Sequence, residues 1–192
     1  MTLNQILKKK DLVSSIVEFE VYSPVIAAKR KAGQFIILRI DEHGERIPLT
    51  IADSNPEKGT LTLIFQIVGK STEQLSTLNE GDTILDVVGP LGNPTHVEKF
   101  GKVVCVGGGC GVAPVYPITK AMKEAGNEVV GIIGARSKDL LIMENRMRAV
   151  CDELHICTDD GTYGEHGFVS DVLKKLIDGG QKFDLCVAVG PV

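Results

Sequence analysis

Two groups of residues in this chain have the types and spacing to hold phosphates. From Val103 to Pro114 the sequence reads VVCVGGGCGVAP, four apolar residues running into a glycine cluster and then into helical spacing. That is the pattern of a buried strand turning sharply into a helix. Gly107, Gly108, Gly109 and Gly111 carry no Cβ, so a phosphate could approach the backbone closely. The first N–H groups of the helix would then face the anion. A tight strand-to-helix turn with no ligand gives the same pattern, so this loop alone leaves both readings open. The second group begins at Arg46, followed by Pro48 and Thr50. The planar fork of an arginine can bond two pyrophosphate oxygens. Thr50 offers a donor and an acceptor to the edge of a ring. A surface arginine and an ordinary strand threonine is the plain alternative. Gly69, Lys70, Ser71 and Thr72 open a short helix and make a second anion-facing N-terminus. Residues 89–94, GPLGNP, form a stiff loop.

The elements that must position these groups change character near residue 100. Before it, residues 12–22, 34–40, 60–68 and 83–88 read as strands bounded by Gly, Pro, Asn and Asp, and only one short helix is expected, at 71–78. Six or so short strands indicate a small antiparallel barrel. After Phe100 the pattern is β-α-β-α. Strands are expected at 102–106, 128–133, 153–157 and 184–189, and helices at 112–125, 138–150 and within 167–177. Such alternation implies a parallel sheet covered on both faces. A ligand then binds beyond the carboxyl ends of the strands. Those ends carry residues 107–111, 134–137, 158–161 and the Gly190–Pro191 pair, all small, polar or glycine-rich, and so mutually consistent as one rim. The expected domains are a barrel at 1–99 and an α/β domain at 100–192. No helix follows the fourth strand to cover it, so the second domain reads as truncated at its C-terminus, or as covered by a partner subunit.

Composition narrows the class. Aromatics are 5% of the chain and Trp is absent, which argues against stacking of nucleic-acid bases. A net charge of −4 offers no basic surface for nucleic acid or an anionic membrane. The opening MTLNQILKKKDL lacks the apolar core of a signal peptide. No apolar run approaches the roughly 20 residues that span a bilayer. A cytoplasmic protein is expected. Cys105, Cys110, Cys151, Cys157 and Cys186 contain no Cys-x-x-Cys pair and read as buried reduced thiols, with Cys110 the more accessible. His155 and Cys157 share one face of a strand but lack two further ligands at recognisable spacing, so no metal site is expected. The four histidines read as structural or solvated.

An Arg-x-Pro-x-Thr strand, a Gly-x-x-Thr turn, a Gly-Pro-Leu-Gly loop and a Gly-Gly-Gly-x-Gly-x-Ala-Pro loop occur in this order. The combination resembles the ferredoxin–NADP reductase superfamily over nearly the whole chain. Within it the chain is most similar to the small (alpha) subunits of NADH-dependent ferredoxin:NADP oxidoreductases, also described as sulfide dehydrogenase FAD subunits. The electron-transfer subunits of dihydroorotate dehydrogenase are close relatives. GARSKDLL at 134–141 and TDDGTYG at 158–164 fit that group, and RIPLTIAD at 46–53 favours the ferredoxin:NADP branch.

The resemblance implies an antiparallel Greek-key barrel that binds FAD, then an α/β domain that binds NAD(H) or NADP(H). Arg46 would hold the FAD pyrophosphate. Pro48, Leu49 and Thr50 would line the isoalloxazine, with the Thr50 hydroxyl near flavin N5 as the one catalytic candidate. Ile64, Phe65 and Gln66 would lie along the FAD, and Gly69, Ser71 and Thr72 would bind its phosphates. Gly108, Gly109, Cys110, Gly111, Val112 and Ala113 would cradle the dinucleotide pyrophosphate. Arg136 and Ser137 would sit near the adenosine ribose, and Asp159, Asp160 and Gly161 along the nicotinamide half. It further implies hydride transfer between nicotinamide and flavin, and a larger flavin and iron–sulfur subunit as partner, with ferredoxin reached indirectly. A [2Fe–2S] centre would require cysteines beyond Val192, because none of the five present has cluster spacing. The nucleotide stays open. No acidic residue ends the second strand and Arg136 is nearby, which by the dinucleotide-fold rule leans to NADP. The resemblance leans to NAD(H). An electron-transfer subunit of dihydroorotate dehydrogenase, or a non-catalytic nucleotide-binding module, are the alternatives.

Overall fold

A computed structural model describes residues 1–190, as two compact units that meet in sequence between Thr95 and His96. Pro191, expected at the ligand rim, lies outside the described residues.

In the first unit six strands form one antiparallel sheet in the order β1-β2-β5-β4-β3-β6. They are β1 (Ile6–Val13), β2 (Ile16–Tyr22), β3 (Phe35–Arg39), β4 (Ile47–Asn55), β5 (Thr60–Gln66) and β6 (Asp86–Leu91). The order is a Greek key, and it brings β4 between β3 and β5. The segment before β6 closes the sheet onto β1 through a Gln5–Thr83 bridge and an Ile6 N–H donating to Asp82 O at 2.8 Å. Alternating residues fill the interior, where Phe19 and Phe65 meet edge to face at 5.2 Å among Ile36, Leu38, Leu61 and Leu63.

Three expectations for this unit are corrected. The strand expected at 12–22 is a hairpin that turns at Ser14 and Ser15, with Val13 opposite Ile16. Its first arm, β1, carries Lys8, Lys9 and Lys10 and buries only Ile6 fully, so its apolar alternation is masked. A second helix exists, α1 (Pro24–Lys29), which begins with Pro24 at a position where no backbone N–H is needed. Residues 89–91, read as loop, are the end of β6, which pairs Leu91 with Phe35. The expected helix at 71–78 is α2 (Lys70–Thr77).

In the second unit the strands are β7 (Lys102–Gly108), β8 (Glu128–Ala135), β9 (Glu153–Thr158), β10 (Glu165–His166) and β11 (Leu185–Val189). They form one parallel sheet in the order β10-β9-β8-β7-β11. Chain order runs outward from β7 to β10, then returns to place β11 on the far side of β7. The carboxyl end of β7 is therefore the point where strand order reverses. Helices α3 (Val112–Glu124) and α4 (Glu144–Val150) cover one face. Helix α5 (Val169–Asp178) covers the other, with Val172 packed on Val104, Val106, Val130 and Ile132.

The helix expected at 138–150 divides. A 3-10 turn at Lys138–Leu140 is followed by extended chain that buries Ile142, and α4 starts only after Met143, whose φ of 59° lies in the left-handed region. The two-residue strand β10 is an addition to the four expected strands. Cys186 is exposed rather than buried, because alternation along β11 turns Cys186 and Ala188 to solvent.

Candidate functional site

Each unit presents one candidate site. In the first, β4 displays its residues on alternate faces. Ile47 and Leu49 pack against the barrel core, while Pro48 and Thr50 lie on the outer face. Of the three residues expected to line a flavin, Leu49 thus offers its backbone rather than its side chain. Thr50 pairs with Phe35 across β3–β4. On β5 the pattern is the same. Phe65 is committed to the core, Ile64 is buried on the opposite face, and Gln66 is exposed.

Arg46, which directly precedes β4, is 60% exposed. Its Nη2 lies 3.4 Å from Asp86 Oδ2, an atom that Arg39 grips more closely, from both Nε and Nη2 at 2.8 Å. Such an exposed pair is worth at most about 1 kcal/mol. The guanidinium is therefore oriented by Asp86 but free to exchange partners.

The start of α2 is capped from within. Thr72 Oγ1 accepts from the N–H groups of Val68 (3.0 Å) and Gly69 (3.2 Å) and donates to Gly69 O (2.9 Å). Ser71 Oγ donates to Glu45 Oε2 at 3.0 Å, and Gln74 ties the same loop through Asp41 Oδ2 at 2.6 Å. Gly69 is informative in another way. Its backbone is extended (φ −177°, ψ 176°), which any residue adopts, and a Cβ there would meet nothing within 4 Å. The fold does not require glycine at this position. Open space beside a helix N-terminus suits close approach of a phosphate. The exposed Arg46, the open cradle at Gly69 and the Ser71 hydroxyl fit a dinucleotide such as FAD in donor chemistry.

The site of the second unit is built from backbone. At the end of β7, a 3-10 turn at Gly109–Gly111 leads directly into α3. The glycines have different causes. A Cβ on Gly107 would come within 2.9 Å of Val112 Cα, and one on Gly111 within 2.3 Å of Val189 O. Both are required by packing of strand, helix and β11. Gly109 has a φ of +55° and opens on nothing within 4 Å, so it shapes the turn and leaves it accessible. Val112 and Ala113 are buried, so only their N–H groups can face a ligand. Cys110 is half-buried, and burial pushes its thiol pKa up, which keeps it protonated.

The neighbouring loops are bonded to one another. Asp159 and Asp160 donate their N–H groups to the carbonyls of Ala135 and Arg136 at 3.0 and 3.1 Å. Asp160 Oδ1 accepts from Thr162 N and Oγ1, which holds its carboxyl below the usual range. Gly161 has a φ of +73°, the left-handed conformation that the turn needs. Lys138 N donates to Thr162 Oγ1 at 3.0 Å, and Lys138 Nζ sits 5.0 Å from the centroid of the Tyr163 ring. Arg136 is exposed, and Ser137 Oγ donates to Asp139 Oδ1 at 2.7 Å. The structure so gathers Gly108–Ala113, Arg136, Ser137 and Asp159–Gly161 at the carboxyl ends of β7, β8 and β9, and adds Lys138, Asp139, Thr162 and Tyr163. Those four lie inside the motifs at 134–141 and 158–164, and only their side-chain bonding reveals them.

His155 lies against Glu153 and Glu165, at 2.8 and 3.6 Å, while Cys157 is buried under α5. Among the described residues no three His, Cys, Asp or Glu side chains come together as metal ligands. The cysteines among the described residues do not fit an iron–sulfur cluster.

No family model matches the chain. It is 49% identical over 189 residues to a Thermotoga maritima protein named as a homolog of the electron transfer subunit of dihydroorotate dehydrogenase B (NAD(+)), covering 98% of this chain and 66% of that protein. It is 32% identical over 192 residues to the electron transfer subunit of dihydroorotate dehydrogenase B (NAD(+)) of Bacillus pumilus, covering 97% of this chain and 72% of that one. The chain belongs to the dihydroorotate dehydrogenase B electron-transfer subunit family. Its fold is ferredoxin reductase-like. It superposes with a TM-score of 0.94 and 48% identity on a chain of the NADH-dependent reduced ferredoxin–NADP oxidoreductase, a structure described for flavin-based electron bifurcation, over 100% of this chain and 68% of that chain. The sequence spans just under two thirds of the Thermotoga maritima family member, at 66%. Among the described residues no helix is long and apolar enough to cross a membrane.

Proposed function

We propose that this chain is the FAD- and pyridine nucleotide-binding part of an electron-transfer subunit, with the activity of an NAD(P)H–flavin oxidoreductase. The observation that carries the reading is the pairing of two phosphate-suited sites, each on its own unit, in a chain whose whole length aligns at 48% identity with a chain of the NADH-dependent reduced ferredoxin–NADP oxidoreductase. When bound, the flavin and the nicotinamide supply the redox chemistry, a hydride exchange. The chain's residues bind and orient. Arg46 releases Asp86 and grips the FAD pyrophosphate, where a charge-assisted bond is stronger than its exposed ion pair. Gly69 and the Ser71 hydroxyl receive the phosphates at the start of α2, which displaces Glu45 from Ser71. Thr50, on the outer face of β4, presents its hydroxyl to the flavin ring, and Pro48 stiffens the strand beside it. In the second unit, the N–H groups from Gly109 to Ala113 receive the pyridine nucleotide's pyrophosphate at the reversal of strand order. Asp159, Asp160 and Gly161 edge the nicotinamide half. No side-chain acid is needed for a hydride step.

The partner is a larger flavin and iron–sulfur subunit, with ferredoxin served through it, in a cytoplasmic heterodimer. RIPLTIAD at 46–53 favours the ferredoxin–NADP branch over a dihydroorotate partner, whereas identity does not separate them, at 48% to the ferredoxin–NADP enzyme and 49% to the dihydroorotate dehydrogenase B electron transfer subunit homolog. The test is an anaerobic visible spectrum of the chain reconstituted with FAD, before and after stoichiometric NADH and then NADPH. Bleaching of the flavin band supports the oxidoreductase reading. Bound flavin that neither nucleotide reduces supports a non-catalytic binding module instead, and failure to bind FAD removes the Arg46–Thr50 assignment.

A further inference from the structure

We propose that Arg39 is a positioning residue of the flavin site: it holds Asp86, and so leaves the charge of Arg46 to the FAD pyrophosphate. This rests on the reading of Arg46 as the group that grips the pyrophosphate. Strand β3 lies between β4 and β6, with Arg39 directly opposite Asp86 and Leu38 opposite Ile47. One residue before Ile47, Arg46 falls on the other flank of Arg39. Asp86, Arg39 and Arg46 therefore make one row across three strands, an anion followed by two cations. Register holds the row in place, because a one-residue slip of β3 would send Arg39 into the core that Leu38 fills.

The two cations do not share the anion equally. Arg39 reaches Asp86 Oδ2 from Nε and from Nη2, each at 2.8 Å. Arg46 Nη2 reaches the same oxygen at 3.4 Å, beyond the roughly 2.7–2.9 Å of a charge-assisted bond. Exposure follows the same order, at 26% for the Arg39 side chain, 34% for Asp86 and 60% for Arg46. Water therefore screens the outer contact most. The inner pair cancels, and the surplus positive charge of the row rests on its most exposed member. An arginine and an aspartate opposite one another serve a sheet as a cross-strand pair. The second arginine on the same oxygen gives this pair a further consequence. Without Arg39, Asp86 would have Arg46 as its one cation, and that contact would close at the expense of the pyrophosphate. Arg39 thus acts through Asp86 and not on FAD.

Titration of FAD into the apo chain and into three variants, with the unfolding midpoint of each, tests this without any redox step. Arg39→Met keeps an unbranched apolar stem. It should weaken FAD binding about fivefold, the worth of an exposed ion pair closing onto Arg46. Asp86→Asn alone should not weaken it, because Arg46 is then unopposed. The double variant should return to within about twofold of the unmodified chain, inside the effect of one such pair. Its midpoint should stay as low as that of Arg39→Met, since neither variant has the inner pair. Affinity regained without stability is a result that a purely structural pair would not give. An Arg39→Met chain that binds FAD as tightly as the unmodified one overturns the assignment. So does a double variant as weak as Arg39→Met, because Arg39 then touches FAD itself or serves only the sheet. A weaker Kd in Asp86→Asn alone overturns it as well. If Arg46→Ala also leaves FAD affinity unchanged, the reading of Arg46 falls, and this inference falls with it.

Discussion

The two candidate sites are made differently. The barrel site is a set of exposed side chains held by exchangeable bonds, Arg46 to Asp86 and Ser71 to Glu45, around a glycine the fold does not need. The α/β site is a backbone loop whose glycines at 107 and 111 are wedged between strand, helix and β11. The groups of the first can be altered without loss of its fold. In the second, the loop proposed to receive a phosphate is itself packed into the fold at Gly107 and Gly111.

Substitutions that separate binding from folding sharpen that contrast. Gly111→Ala should have the largest effect, because its Cβ would land 2.3 Å from Val189 O. Overpacking against backbone costs about 3 kcal/mol. Denaturant unfolding of the second unit should show that loss, and an unchanged midpoint would break the contrast. Thr72→Val removes the acceptor for two N–H groups at the start of α2 and should cost about 1 kcal/mol, read by the same method in the first unit. Gly69→Ala should cost about 0.5 kcal/mol of stability, while lowering FAD affinity by filling the cradle. A large stability loss there would show that the barrel site is also bound up with its fold.

Alkaline pH distinguishes the units by another route. Burial raises the thiol pKa of Cys105 and Cys157 to about 11 and of Cys151 to about 12, from an ordinary 9.0. Between 9.0 and about 11 the unfolded chain loses these protons and the folded chain keeps them. Stability therefore falls as pH rises through that window and is fully present below it. All five cysteines are in the second unit, so it should unfold first on alkaline titration followed by hydrogen exchange. Equal loss in both units would contradict this.

Much of the architecture was legible because glycine and turn residues punctuate it. The strand-to-helix turn at 107–112 and the end of α3 near Gly126 could be read directly. What escaped had no periodic signal. Strand β1 hides its alternation behind three lysines, and β10 is two residues long and exists only through its pairing with Cys157 and Thr158. The helix expected at 138–150 was overridden by burial of Ile142 and the left-handed Met143. At the sites, residue types pointed to phosphates, but not to which glycines serve the fold. Nor could a linear reading place Asp139, since its position depends on a turn and a serine hydroxyl.

On the proposed reading, the barrel binds FAD through groups its fold can spare, Arg46 first among them. Titration of FAD into the apo chain and into Arg46→Ala, with the unfolding midpoint of each, tests it most directly. A roughly 10- to 100-fold weaker Kd is expected in the variant, as for loss of a charged hydrogen bond, with the midpoint unchanged. Equal affinity in the two chains, or a weaker Kd accompanied by a matching loss of stability, would contradict it.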